Sequence, residues 1–190
     1  MVKILVCGGL GNQLWQYAAA YALAQRLGTN LLVQPSPPTL NRKFLLDYFS
    51  FDFKLCSQWL SNIPGLYRRF DKLFFHDYQN KNEFHYDEGF FKLPNQTKIT
   101  ASYFQNYRYF MPVLDQLRRQ LDVRHTTDEL KMQLNIIRQQ NAVAVHVRRG
   151  DYLTAESKGK PFRICSLKYY QEAILLMRQK LLKPKFFIFW

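Results

Sequence analysis

The chain has little cysteine, no long apolar run and no acidic excess, and each deficit removes a class of protein. Three cysteines, Cys7, Cys56 and Cys165, are scattered over 190 residues. An odd number at such spacing suits neither a disulfide framework nor a structural zinc site, so they read as reduced thiols that pack as small apolar groups. No stretch approaches the roughly 20 apolar residues that cross a bilayer. The opening Met1-Val2-Lys3-Ile4-Leu5-Val6-Cys7 is too short for the apolar core of a secretory leader, and the expectation is a cytoplasmic protein. Internal repeats and low-complexity tracts are absent as well.

What is present can fold around a core: 47% of residues are hydrophobic and 16% aromatic, enough for one large domain or two small ones. The net charge is +13, and the second half of the chain holds most of the excess. Such a field favours an anionic ligand or surface, but it does not choose among nucleotide phosphates, nucleic acid and an anionic membrane face. Motifs must make that choice.

Val2 to Cys7 is a β-branched run, followed by the glycine turn Gly8-Gly9-Leu10-Gly11-Asn12-Gln13 and an alanine-rich stretch to Leu27. This predicts strand, turn and helix, with Asn12 as N-cap and Gly28 as the helix-ending glycine. Thr29 to Gln34 resumes a strand, so the opening is a βαβ unit and the sheet is parallel. From Thr39 to about Leu93 the aromatics follow no sustained period, and the segment reads as irregular with short helices. A strand over Lys98 to Phe104 and a helix over Met111 to Leu121 come next. Thr126 and Glu129 then form a capping box for a helix reaching about Arg138. A second βαβ unit closes the chain: a buried strand Ala142 to Val147, a loop, a helix capped by Ser166, and a strand over Lys185 to Trp190. The domain boundary is expected near Gln140, with 1–140 an α/β domain and 141–190 the start of a second, Rossmann-like one. Ligands of open parallel sheets sit at the carboxyl ends of strands, and the chain stops where the next such loop is expected.

Two motifs carry chemistry. In Gly8-Gly9-Leu10-Gly11-Asn12-Gln13 the glycines let backbone approach a ligand, and the helix that follows offers free amides and a positive dipole end. A tight turn before a capped helix explains the same residues without any ligand, since neither the G-x-G-x-x-G spacing nor a Walker lysine is present. In His146-Val147-Arg148-Arg149-Gly150-Asp151-Tyr152 two adjacent guanidiniums leave a strand end, His146 and Arg148 on one face and Arg149 on the other. Buried without partners they are costly. Either they meet a diphosphate, which a guanidinium fork matches bidentately, or a structural Arg-Asp pair locks the loop.

Both motifs, with Gln16-Tyr17-Ala18, resemble signature segments of the bacterial and animal α-1,2-fucosyltransferases, glycosyltransferase family 11. Tyr86-Asp87-Glu88, Tyr103-Phe104-Gln105 through Tyr109-Phe110, Cys165-Ser166-Leu167 with Tyr169-Tyr170, and Phe186-Phe187-Ile188-Phe189 match in order and spacing. Leu14 and Trp15 depart from the usual Met-Phe pair within apolar packing. The resemblance implies an α/β protein of the type B glycosyltransferase kind, with its second Rossmann-like domain incomplete. It implies GDP-fucose as donor, a galactoside-containing glycan as acceptor, inversion on transfer to the 2-hydroxyl, and no obligatory metal or other cofactor. Arg148 and Arg149 would take the diphosphate. His146 and Asp151 would shape that site and are the candidates for the base, while Gly9, Gly11, Asn12 and Gln13 would line the cleft side of the first domain. Family members continue past the last strand, so this chain is expected to bind GDP-fucose weakly and turn over little. The acceptor class includes lipopolysaccharide O-antigen, and the charge is compatible with peripheral association at the inner membrane face.

Two other readings compete. A non-catalytic remnant would keep the fold alone. A basic nucleic-acid-binding protein would use the charge with the 12 tyrosines and 16 phenylalanines, but basic and aromatic residues do not interleave on a strand face and no reader motif occurs, so no nucleic-acid partner is expected.

Overall fold

The computed structural model describes residues 1–36, 42–56, 72–80, 82, 84–100, 102–149, 152 and 164–190. It divides into two compact units, Met1–His125 and Thr126–Trp190, ahead of the boundary near Gln140 read from the sequence.

The first unit opens with the expected βαβ: strand β1 (Val2–Val6), helix α1 (Leu10–Arg26) and strand β2 (Leu31–Pro35). Helix α1 starts three residues earlier than an Asn12 cap allows. Its N-cap is Gly9, extended at φ −72° and ψ 170°, and the Gln13 amide already donates to the Gly9 carbonyl at 3.0 Å. At the other end Gly28 takes φ +59°, with its amide donating to Gln25 O and the Thr29 amide to Ala24 O. That pair of bonds satisfies carbonyls a helix end leaves open, and only glycine adopts the required backbone at little cost.

Three short strands complete a five-stranded sheet: β3 (Lys54–Leu55), β4 (His76–Tyr78) and β5 (Thr97–Ile99). The order is β3-β2-β1-β5-β4, and every pairing is parallel. β1 is central, with Val2 opposite both Leu31 and Thr97 and Ile4 opposite both Val33 and Ile99. Its Val2, Lys3, Ile4 and Val6 are all buried, as a parallel strand covered on both faces requires. Tyr17 through Ala24 of α1 are buried without a break. Alanine on most of that surface lets the helix lie close to the sheet, while each large apolar side chain fully buried there contributes about 1.5–3 kcal/mol.

Behind β5, Phe90, Phe104 and Tyr109 form a fully buried aromatic cluster with ring centroids 4.9 to 5.3 Å apart. The helix expected from Met111 begins later, as α2 (Leu114–Gln120), because Met111–Val113 is a 3-10 turn holding Pro112. A proline ring disfavours the α conformation in the residue before it.

The second unit comprises α3 (Asp128–Arg138), β6 (Ala142–His146), α4 (Leu167–Lys180) and β7 (Lys185–Phe189), with β6 and β7 parallel. Thr127, and not Thr126, caps α3, its Oγ1 accepting from the Leu130 amide at 3.2 Å. Ser166 caps α4 as expected, accepting from the Tyr169 amide at 3.3 Å. β6 is not the buried strand its composition suggests. Its residues alternate exposed and half-buried, because among the described residues of this unit β7 is its sole paired neighbour. A gap of about 330 Å³ also separates β6 from α4, lined by Val143, Val145, Tyr170, Ile174 and Met177.

Candidate functional site

In the first sheet the chain leaves β1 for β2 and β3 on one side, and reaches β4 and β5 on the other. The loops that follow β1 and β5 therefore diverge at neighbouring strand ends, and such a switch point opens a crevice in parallel sheets. Of the residues expected to bind, Gly9, Gly11, Asn12 and Gln13 all lie here, on the turn and first helical turn after β1.

Gly8 makes the turn at φ +82°, and a Cβ on it would stand 3.0 Å from Asn12 Nδ2 and 3.4 Å from the Tyr103 ring. Glycine is demanded there by the fold itself. Gly9 and Gly11 differ: a Cβ at either meets nothing within 4 Å among the described residues. Neither the backbone of Gly9 nor its packing requires glycine, so the bare surface is open to a group from outside. No acidic residue occupies the first turn of α1, and the positive end of the helix is left for a ligand.

The side chains of this turn fall into two roles. Gln13 is 2% exposed; its Nε2 donates to Gly8 O at 2.9 Å and Lys43 O at 2.8 Å, and its Oε1 accepts from the Leu45 amide at 2.9 Å. Its amide is fully engaged inside the protein, where it clamps the segment after Arg42 beside the glycine turn. Gln16, also buried, accepts from the Cys7 amide at 2.9 Å and braces the end of β1. Asn12 remains partly exposed, and its Oδ1 accepts from Gln105 Nε2 at 3.1 Å across the switch point.

Gln105 and Tyr103 escaped the sequence reading as site residues, although both lie in a stretch that carried the family resemblance. Between them Phe104 is fully buried and adopts φ +54°, a rare conformation for a bulky residue. The Asn106 amide donates to Phe104 O at 2.7 Å, and the ring is held among Phe90, Tyr78 and Tyr109. Tertiary packing thus imposes the kink that sets Tyr103 and Gln105 beside Gly8 and Asn12.

A polar lattice braces this loop. Tyr109 OH accepts from the Asp87 amide at 2.8 Å and from Asn80 Nδ2 at 2.9 Å, and donates to His85 O at 3.1 Å. The Asn80 amide donates to Ser102 Oγ at 2.7 Å, and Tyr78 OH donates to Asp87 Oδ2 at 2.6 Å. Burial, then the Asp87 carboxylate, push the Tyr78 phenol above its ordinary range, and burial likewise raises Tyr109.

The second group of expected residues lies in the second unit. His146 ends β6, and the Val147 amide continues the ladder to Phe189 O at 2.7 Å. Arg148 stacks its guanidinium on the Tyr152 ring at 4.5 Å. Arg149 is exposed, its side chain has no ion pair among the described residues, and its carbonyl accepts from the Tyr152 amide at 3.0 Å. Asp151 lies outside the described residues, so its expected role has no geometry here. Among the described residues no three His, Cys, Asp or Glu side chains gather to hold a metal, and no helix is long and apolar enough to cross a membrane.

The sequence has known relatives. The family model for Glycosyl transferase family 11 matches residues 1–190. The chain is 27% identical over 197 residues to an alpha-1,2-colitosyltransferase of Escherichia coli, covering 100% of this chain and 68% of that protein. It is 26% identical over 189 residues to galactoside alpha-(1,2)-fucosyltransferase 1 of Rattus norvegicus, covering 95% of this chain and 46% of that one. The O-antigen biosynthesis glycosyltransferase WbnK of Escherichia coli is 27% identical over 197 residues, with 88% and 65% covered. The chain thus spans between about half and two thirds of the length of these relatives. No solved structure matches it significantly. An α/β fold of parallel sheets, a glycine turn at a sheet switch point, an arginine pair at a second strand end and a family match over the whole length converge: the chain belongs to glycosyl transferase family 11.

Proposed function

We propose that this chain takes part in transferring L-fucose from GDP-fucose to the 2-hydroxyl of a galactoside, with inversion at the anomeric carbon. Family membership and the names of the relatives support the coarser statement, an α-1,2 glycosyl transfer. The observation that carries the finer one is the arginine pair leaving β6, with Arg149 exposed and making no ion pair among the described residues. As the bond to fucose breaks, negative charge grows on the departing GDP, and fixed guanidiniums lower the barrier by meeting that charge without reorganising. No metal or other cofactor is needed for that task. Inversion in a single displacement needs a base within hydrogen-bond reach of the acceptor hydroxyl, and His146 and Asp151 are the candidates. Asn12 with Gln105, beside the bare backbone of Gly9 and Gly11, supplies polar groups suited to sugar hydroxyls.

The acceptor is a galactoside-containing glycan such as an O-antigen, met in the cytoplasm at an anionic membrane face that the charge of +13 would favour. A second reading has a specific observation behind it: one relative is named a colitosyltransferase, so the donor sugar is colitose in place of fucose. Supplying both nucleotide-linked sugars to the same acceptor decides between them.

Calorimetry with GDP tests the donor site directly. GDP is expected to bind in the presence of EDTA. Arg149→Ala and Arg148→Ala should each weaken it about tenfold or more, the weight of a charge-assisted hydrogen bond. Unchanged affinity in both variants overturns the assignment. No GDP binding by the parent chain leaves the non-catalytic remnant, and salt-sensitive binding of random RNA in its place supports the nucleic-acid reading.

A further inference from the structure

The far end of α1 carries a second feature that the transfer reaction leaves unused. A cleft of about 360 Å³ opens between the C-terminal turns of α1, the turn into β2 and the start of β3. That volume lies in the range of small-molecule sites. Six polar side chains line it: Tyr21, Gln25, Thr29, Asn30, Asp52 and Lys54, with the ring of Phe53 beside them. None of the six has a hydrogen-bond or ion-pair partner in its side chain among the described residues. Tyr21 matters most. Its ring is buried and stacks on Tyr17, and its hydroxyl, with no protein partner among the described residues, meets solvent in the cleft. A buried ring fixes where that donor and acceptor stands.

The chemistry of the lining narrows the occupant. One carboxylate and one ammonium cancel, so no net field draws a polyanion. The cleft also sits at the C-terminal end of α1, where the helix dipole disfavours phosphate. A lone Asp52 is too few ligands for a metal. Two amides and two hydroxyls each both donate and accept, which is what ring hydroxyls of a sugar require, and the Phe53 ring offers an apolar face to the sugar's C–H edge. We propose that this cleft is a carbohydrate-binding site for a neutral sugar residue, separate from the switch-point crevice. Helix α1 has 17 residues and is about 25 Å long, so the two sites stand at its opposite ends and no disaccharide reaches both.

The test is amide-shift mapping of the nitrogen-labelled chain titrated with lactose. Saturable shifts are expected at Tyr21, Gln25, Gly28, Thr29, Asn30 and Lys54. Tyr21→Phe, which keeps the ring stack and removes only the hydroxyl, should weaken binding about three- to tenfold. Asn12→Ala, in the crevice at the other end, should leave these shifts unchanged, so a failure of the donor and acceptor assignment would not be mistaken for a failure here. A longer galacto-oligosaccharide that binds far more tightly than lactose assigns the cleft to the remote end of one bound glycan, and equal affinity assigns it to a separate sugar chain. The proposal is overturned if no saturable shift appears at these residues, if a Tyr21→Phe, Asp52→Asn double variant keeps the parent affinity, or if inorganic phosphate or free glycine binds the cleft more tightly than lactose.

Discussion

Two glycines three residues apart should respond to the same substitution in opposite directions. In Gly8→Ala the backbone at φ +82° must hold an L side chain in the left-handed region, which costs about 1–2 kcal/mol. The new Cβ would stand 3.0 Å from Asn12 Nδ2 and 3.2 Å from Asn12 Cβ. Asn12 must then move, and its bond from Gln105 at 3.1 Å, worth about 0.5–1.5 kcal/mol, is weakened or lost. The sum is about 2–3 kcal/mol, which lowers the urea midpoint by roughly 1 M at the slope usual for such chains. Gly11→Ala meets nothing within 4 Å among the described residues and replaces a helical glycine, so it should raise the midpoint, by up to about 1 kcal/mol of stability. Urea denaturation of the parent and both variants, followed by circular dichroism, reads the difference. An unchanged midpoint in Gly8→Ala, or a Gly11→Ala variant that falls as far as Gly8→Ala, refutes the geometry of the turn.

Removing the Gln13 amide should be among the more damaging single changes. Gln13→Ala leaves Gly8 O, Lys43 O and the Leu45 amide without their partner, for a loss of about 2–4 kcal/mol in the same denaturation assay; a loss under about 1 kcal/mol would mean water replaces it. Tyr17, Tyr78 and Tyr109 all have phenols raised by burial. A proton held more tightly in the folded state contributes stability that is intact below about pH 10, where unfolded tyrosine titrates, and is lost as pH climbs toward the folded values. Phenolate absorbance of these three should therefore appear together with alkaline unfolding, and a gradual rise in a chain still folded would count against it. The second unit has no fully buried residue in its helices or strands as described, and Ile188, Phe189 and Trp190 are exposed. It should melt below the first unit in calorimetry and associate at high concentration; one cooperative transition of a monomer would contradict this.

The parts of the fold legible beforehand were those with strong local grammar. A β-branched run, a glycine turn and an alanine stretch announced β1-α1-β2, and Ser166 announced α4, because caps and periodicity act within a few residues. β3 and β4, of two and three residues, carry no such period and exist through pairing with distant strands. The same division runs through the site. Gly9, Gly11 and Asn12 could be singled out as candidates because their motif is contiguous, whereas the inward commitment of Gln13 depends on Lys43 and Leu45, far along the chain. Gln105 could be placed only once β5 was known to lie against β1. The exposure of β6 was missed for a related reason: an Ala-Val alternation reports what a strand is suited to, while burial depends on which neighbours cover it.

The central place of β1 sets the order in which the first unit can assemble. One flank of β1 is closed by β2 almost as soon as α1 has formed, but the other must wait for Thr97–Ile99, an encounter of high sequence separation and correspondingly slow. On a ribosome adding on the order of 10 residues per second, that flank stays bare for several seconds. For that interval the nascent chain presents an open apolar edge to its surroundings, and yield in a cell should respond more to chaperone supply and translation speed over residues 36–99 than to the final stability.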